Sequence, residues 1–374
     1  MIRVLEVIYG FGYGGIRAFI MNYLNYLDKS KFKVDIYVFG YDSSPFTDKV
    51  KALGANIYFE PQNYAAKRPW LFVHQLGKFM KENGPYDVVH ANNNLISAWV
   101  LLAAKRANVP IRLAHSHCAS HFGNSWKQNA YSYLRRFIID RLATKKLACG
   151  HLAGEAMYGK NANFEVIANG ISLNRFMYRD EKRITELKRI LNIPVKARVY
   201  ANVTRMDPSK NHIFAVEVFR EIHKIDPNAI FLYGGVIPKI SPTINMVKAK
   251  IEEYGLTDYC RYTGPFMDVE QLYHTTDLWI YCSAYEGLPF GPLELQAASI
   301  PVIASDVITD EIDLGLGLVH FLSLDDNPKK WAELAVSIEK KYIPNNIIAE
   351  AFQKHNFDIC QNVKRLEEIY EGKK

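Results

Sequence analysis

Asp277–Asp306, DLWIYCSAYEGLPFGPLELQAASIPVIASD, decides the fold. Leu278, Trp279, Ile280 and Tyr281 form a short apolar run that ends in small residues, Ser283 and Ala284, which predicts a buried strand and a turn. Glu286 and Gly287 follow in a segment broken by Pro289 and Gly291. Pro292 suits the start of a helix, where its fixed φ and missing N–H cost nothing, and Glu294 then falls in the first turn. Pro301–Ala304 predicts a second strand, closing at Ser305-Asp306. Strand, loop, helix and strand make the repeat of a parallel sheet with crossover helices. Its loop opens at the carboxyl end of a strand, where open α/β sheets take their ligands.

Glu286 and Glu294 flank that loop, and both can face one cavity. The helix N-terminus beside them offers free N–H groups and the positive dipole end to an anion such as a diphosphate. A carboxylate repels a phosphate, so the two glutamates suit hydroxyl groups, which sugars and ribose both supply. A glutamate at a helix start also serves the dipole alone, which is the plainer reading of Glu294.

The same alternation runs outward in both directions. Arg3–Tyr9 predicts a strand, GFGYGG (Gly10–Gly15) a turn and Ile16–Leu27 a helix. Gly10, Gly12 and Gly15 match the dinucleotide fingerprint, with Asp42 after a second strand, Phe32–Phe39, so an NAD-dependent oxidoreductase is a rival reading. Ala55–Phe59, Asp87–His90 and Ile111–Ala114 continue as strands, with helices at Trp70–Glu82 and Ile96–Ala107. His90 reads as a solvated strand end, whereas His115-Ser116-His117 ends a strand ahead of a polar loop, Ser120–Ser125, and can reach a substrate. A hydrogen-bonded structural histidine is the plainer alternative. No third ligand stands at a spacing suited to metal. Trp126–Lys146 reads as a helix mixing Lys and Arg with Trp, Tyr and Phe, suited to anionic lipid or to ordinary solvation. Residues 173–196 read as a charged link. A second α/β half opens with Arg198–Val203, and TRMDPSKNH sets Arg205 and Lys210 just past that strand, where a fork and a point charge can neutralise a diphosphate.

Composition bounds the rest. The 374 residues suffice for two ordinary domains, and the five cysteines are scattered without a CxxC pair, which argues against a disulfide framework or structural zinc. The longest apolar run, Leu95–Ala104, is too short for a bilayer, which needs ~20 residues. The opening MIRVLEVIYG runs straight into a strand pattern with no signal-peptide pattern, and the scattered cysteines fit a reducing cytoplasm. Residues 1–172 hold 21 Lys/Arg against 11 Asp/Glu, a net +10, whereas the whole chain is +7 and the remainder therefore −3. A basic first half suits an anionic membrane surface, such as the inner face of the plasma membrane, and no nucleic-acid module is present.

Glu286-Gly287, Glu294, Ala297-Ala298 and Pro301–Ser305 together resemble the E-x7-E segment of family 4 retaining glycosyltransferases, two-domain enzymes of the GT-B fold. Gly14-Gly15, His117, Asn169-Gly170-Ile171, Arg205 with Lys210, and Gly264-Pro265-Phe266-Met267 stand in that family's order, so the resemblance covers nearly the whole chain. Arg17 and Ser172 depart from it, standing where relatives carry acidic residues, and Ser299 replaces a usual glycine. The resemblance implies two Rossmann-like domains around a cleft. They are an acceptor-side domain over 1–172, a nucleotide-sugar domain over 173–357, and a helix over 358–374 that crosses back to the first. It implies transfer of a hexose or N-acetylhexosamine from a UDP-sugar, with retention, to a saccharide or lipid-linked saccharide in surface polysaccharide synthesis. Arg205 and Lys210 would hold the diphosphate, Glu294 the ribose, Glu286 the donor sugar, and His117 the transferring centre. Gly14, Gly15, Phe266, Gly287 and Leu288 complete the donor side. No metal or other cofactor is expected, since two cations take a metal's place. The alternatives are a nucleotide-sugar epimerase of the same fold and a non-catalytic transferase-like subunit.

Overall fold

The computed structural model describes the chain apart from residues 13–14, 42, 118–125, 238–240, 266–267, 287 and 374, and apart from the side chains of 66 and 126–128. It forms two compact units, one of Met1–Gly170 with Asn356–Lys374 and one of Ile171–His355. Each division falls two residues earlier than the sequence pattern predicts.

In the first unit seven strands form one parallel sheet: β1 (Ile2–Tyr9), β2 (Phe32–Phe39), β3 (Asn56–Glu60), β4 (Val88–Ala91), β5 (Ile111–Ser116), β6 (Lys145–Ala148) and β7 (Glu165–Val166). Their order is β3-β2-β1-β4-β5-β6-β7. The second unit repeats the plan with β8 (Val199–Val203), β9 (Ile230–Gly234), β10 (Cys260–Tyr262), β11 (Leu278–Tyr281), β12 (Val302–Ser305) and β13 (Val319–Leu322), in the order β10-β9-β8-β11-β12-β13. Crossovers leave the first strand of each sheet in opposite directions, so each has a switch point, at β1/β4 and at β8/β11. Ligands of open α/β sheets bind at such points, outside the carboxyl ends of the strands. Both faces of the sheets are covered, which is why β4, β9, β11 and β12 are buried at every residue.

Five of the described helices flank the functional regions: α1 (Gly15–Tyr26), α2 (Trp126–Leu142), α3 (His212–Ile225), α4 (Phe290–Ala297) and α5 (Ile359–Tyr370). The last is capped by Asp358, whose side chain accepts from the Cys360 N–H at 2.7 Å. It buries Ile359, Val363, Leu366, Ile369 and Tyr370 within the first unit, as its apolar spacing predicts.

Three expectations need correction. Lys145 and Lys146 begin β6 rather than ending α2, because the helix stops at Leu142. The charged stretch 173–196 is no bare link: Leu173–Met177 and Glu181–Ile190 are helices of the second unit, the latter capped by Asp180 and burying Ile184 and Leu187. Glu294 lies in the second turn of α4, since the helix begins at Phe290 and Pro292 is its third residue. A proline is tolerated there because that N–H has no partner within the helix in any case.

Candidate active site

At the β8/β11 switch point two loops meet. After β8 the chain turns through Arg205 and Asp207 into a short 3-10 turn, Pro208–Lys210, and enters α3 through Asn211 in the left-handed region, φ 52°. The Asp207 carboxylate caps the turn, accepting from the Ser209 N–H at 3.0 Å, and also binds the Arg205 guanidinium. After β11 the Ala284 N–H donates to the Ser209 carbonyl at 2.7 Å, tying the two loops together. A further close approach explains Gly235: a Cβ there would stand 1.9 Å from the Thr204 carbonyl oxygen.

This stitching brings Lys210 onto Glu286, 76 residues along the chain. The ammonium donates to Glu286 Oε1, and the Tyr281 hydroxyl donates to the same oxygen at 3.0 Å. The two charged side chains are only 13% and 15% exposed, so they pair in a partly dry site, whereas Arg205 keeps 44% of its side chain in water. Glu294 accepts from the Tyr273 hydroxyl at 2.6 Å. Burial raises the pKa of Tyr281 far above the ordinary range, and the charges of Glu286 and Glu294 add to this; burial and Glu294 do the same at Tyr273. Both phenols therefore stay protonated and donate to the carboxylates. Pro289 precedes α4 and makes no side-chain capping hydrogen bond.

The β1/β4 switch point carries a different kind of cluster. Glu6 on β1 accepts from the Tyr370 hydroxyl of α5 at 2.7 Å and from Asn92 Nδ2 at 2.6 Å. His90 Nδ1 lies 3.1 Å from Glu6 Oε1 and 2.8 Å from the Tyr370 oxygen, and His90 Nε2 lies 3.0 Å from His115 Nδ1. Asn92 Oδ1 lies 2.7 Å from His117 Nε2. His115 and His117 stack at 4.1 Å, with the edge of Phe19 from α1 against both. Burial, with His90 nearby, pushes His117 down to about 3, and burial holds His115 well below the usual histidine range. These imidazoles are neutral at physiological pH.

A cavity of about 620 Å³ lies away from both clusters, at the amino ends of β5 and β6 beside Ile111, Lys145 and Glu165. Its cations are already paired, Lys145 with Glu165 at 2.6 Å and Lys146 with Asp140 at 2.9 Å. Among the described residues no three His, Cys, Asp or Glu side chains group closely enough to hold a metal ion.

Two family models match the chain: Glycosyltransferase Family 4 over residues 13–175 and Glycosyl transferases group 1 over residues 183–312. The putative glycosyltransferase EpsF of Bacillus subtilis is 30% identical over 98% of this chain and 96% of its own length. The chain belongs to the family 4 glycosyltransferases. An Escherichia coli relative, UDP-Gal:alpha-D-GlcNAc-diphosphoundecaprenol alpha-1,3-galactosyltransferase, is 24% identical over 90% of this chain and 88% of its own length. In fold, the chain resembles Anabaena Alr3699/HepE solved with UDP and glucose, at a TM-score of 0.80 and 16% identity, each chain covered in full.

For this glycosyltransferase the sequence locates the charged groups and misses their partners. Lys210 and Glu286 pair at the β8/β11 switch point, Arg205 lies on the same loop as Lys210, bound to Asp207, and Glu294 is close enough for its charge to act on Tyr281. Leu288 is buried in the same loop, and Gly15 opens α1. Gly14, Phe266 and Gly287 lie outside the described residues. Tyr281 reads as part of an apolar strand, Tyr273 falls in a stretch to which the sequence reading gives no role, and Glu6 is lost within a strand. His90, read as a solvated strand end, is fully buried.

Proposed function

We propose that this glycosyltransferase moves a hexose or N-acetylhexosamine from a UDP-sugar to a saccharide or lipid-linked saccharide, with retention, in surface polysaccharide biosynthesis. The pairing of Lys210 with Glu286 at the β8/β11 switch point, with Arg205 on the Lys210 loop and Glu294 near Tyr281, carries the reading. The donor diphosphate takes Lys210 and Arg205 as counter-ions, and the uncapped start of α4 adds backbone donors. Lys210 then leaves Glu286, whose carboxylate turns to donor-sugar hydroxyls, while Glu294 accepts from the ribose. As the bond from the anomeric carbon to the diphosphate breaks, the two cations stabilise the charge growing on the leaving group. That counter-charge is also the ground for proposing that no metal is needed. His117 touches the transferring sugar as a neutral imidazole.

The names of the relatives support the acceptor class, the Escherichia coli enzyme being named for a diphosphoundecaprenol-linked sugar. On α2, Tyr133, Leu134 and Phe137 are 68%, 48% and 66% exposed, and the Arg136 guanidinium lies 5.9 Å from the Tyr133 ring. Aromatic side chains among arginines suit an anionic bilayer that presents the acceptor, whereas a second copy would bring the same positive charge. No described helix is long and apolar enough to cross a membrane.

The test is a melting screen against UDP, GDP, ADP and NADH in excess EDTA, with flotation on anionic and neutral vesicles. Ligand at ~100 times its dissociation constant adds ~2.7 kcal/mol, a readable shift. UDP is expected to raise the melting temperature without metal, and anionic vesicles to carry the protein. A shift with GDP, ADP or NADH and none with UDP would overturn the UDP-sugar donor, and flotation on neither vesicle would remove the bilayer.

A further inference from the structure

Asn92 is fully buried and its amide is held at both ends. Its Nδ2 lies 2.6 Å from Glu6 Oε2, and its Oδ1 lies 2.7 Å from His117 Nε2. A carboxylate oxygen only accepts, so the nitrogen end of the amide faces Glu6 and the oxygen end faces His117. An amide oxygen also only accepts, so the proton of the neutral His117 ring stands on Nε2. That leaves a lone pair on Nδ1, to which no described residue donates.

Glu6 has little freedom to arrange itself otherwise. It is 5% exposed on β1, which pairs on both sides with β2 and β4. Its other oxygen, Oε1, accepts from Tyr370 at 2.7 Å and faces His90 Nδ1 at 3.1 Å. The His117 ring is held in plane by its stack on His115 and the edge of Phe19.

We propose that Glu6 and Asn92 are positioning residues for the transfer reaction. Through Asn92 the Glu6 carboxylate sets His117 as its Nε2–H tautomer, so that Nδ1 accepts a hydrogen bond from a ligand hydroxyl of the sugar class. The proposal rests on the reading that His117 touches the substrate, and it adds how that imidazole is prepared. A histidine in the other tautomer would present an N–H to the same hydroxyl. The ring would then compete for the hydroxyl's oxygen rather than accept its hydrogen. The sequence separates Glu6 from Asn92 by 86 residues, and only the pairing of β1 with β4 brings them together.

The experiment is ring-nitrogen NMR of full-length protein carrying 15N-labelled histidine, with a His117→Gln sample to identify the His117 signals. Wild-type His117 is expected to show a protonated Nε2 and a bare Nδ1 near neutral pH. In Asn92→Leu, and in Glu6→Gln, whose amide lets Asn92 turn over, the two tautomers mix. In the same variants kcat of transfer falls about 10²-fold while donor KM holds. That is milder than the ~10⁴-fold lost when the orienting carboxylate of a Ser-His-Asp triad is neutralised. A wild-type ring protonated at Nδ1 would overturn the proposal, whatever the variants do. So would a Glu6→Gln protein whose tautomer has changed while its kcat has not. If the wild-type protein transfers nothing to any acceptor, the functional reading fails, and the His117 spectrum still decides the tautomer.

Discussion

The two sheets share a strand order and differ in what they hold at their switch points. The second unit presents charge: Lys210 against Glu286, with Arg205 and Asp207 beside them, on loops that keep part of each side chain in water. The first unit holds its polar groups almost entirely out of water, with Glu6 5% exposed and His90, Asn92 and His115 at 0%. An incoming anion offers Lys210 a new partner of the same sign as Glu286, so the cation is exchanged between partners rather than left unpaired. A buried polar group must be fully hydrogen-bonded, so its geometry is fixed by every partner at once. One cluster is built to exchange partners and the other to keep them.

The largest effect that would break this comparison is at Lys210. Lys210→Ala removes the cation and, on the proposed function, leaves Glu286 facing the donor diphosphate. Turnover should fall about 10²-fold to 10³-fold, the usual cost of losing a group that stabilises transition-state charge. Initial rates of sugar transfer read this directly. A loss smaller than that at Asn92→Leu would reverse the ranking and make the buried cluster the principal one.

A smaller effect tests whether the second unit also has a fixed part. Tyr273 is 3% exposed and its hydroxyl reaches Glu294 at 2.6 Å. Hydrogen bonds to charged groups contribute ~1.5–3 kcal/mol, so Tyr273→Phe should lower unfolding stability by an amount in that range. Denaturant melts measure it. Unchanged stability would mean that Glu294 is as free as Lys210 to exchange partners.

How much of this the sequence discloses depends on the range of each interaction. Arg205, Lys210, Glu286 and Glu294 are legible because each is a charge near a strand end, among prolines and glycines that mark the loop or helix start. Their convergence follows from topology, since β8 and β11 are neighbours in the doubly wound order. The family resemblance adds roles that local pattern alone does not assign. Glu6 is illegible: it sits in a run, IRVLEVIY, that reads simply as a strand, and its partner Tyr370 lies 364 residues away. Nothing local marks such a pair. Tyr281 is hidden for a related reason, because an aromatic residue in an apolar strand counts as core until its hydroxyl is followed to Glu286. The helix Glu181–Ile190 is missed because EKRITELKRI is dominated by charge, which masks the Ile184 and Leu187 face that packs.

The finest test uses acid. His117 is held at about 3 and His212 at about 4, both by burial first, and His115 lies well below the usual range. In the unfolded chain each imidazole titrates near ~6.5. Between ~6.5 and the folded values the unfolded state binds more protons, so stability is fully present above ~6.5 and is lost as pH falls through that window. Each fully buried ring contributes a slope of up to ~1.4 kcal/mol per pH unit, and His117, which keeps some surface in water, contributes less. Melts at pH 7.5 and pH 5 should therefore show a large acid loss in the wild-type protein and a smaller one in His117→Asn, whatever the variant's own stability at pH 7.5. His212 belongs to the charged unit, where it lies 3.1 Å from the Thr204 hydroxyl and next to the Lys210 turn, so His212→Asn gives the matching figure for the other switch point. Equal acid losses in wild type and His117→Asn would mean that His117 already titrates in the folded protein near its ordinary pKa. The contrast between an exchangeable charged cluster and a fixed neutral one would then fail at its central residue.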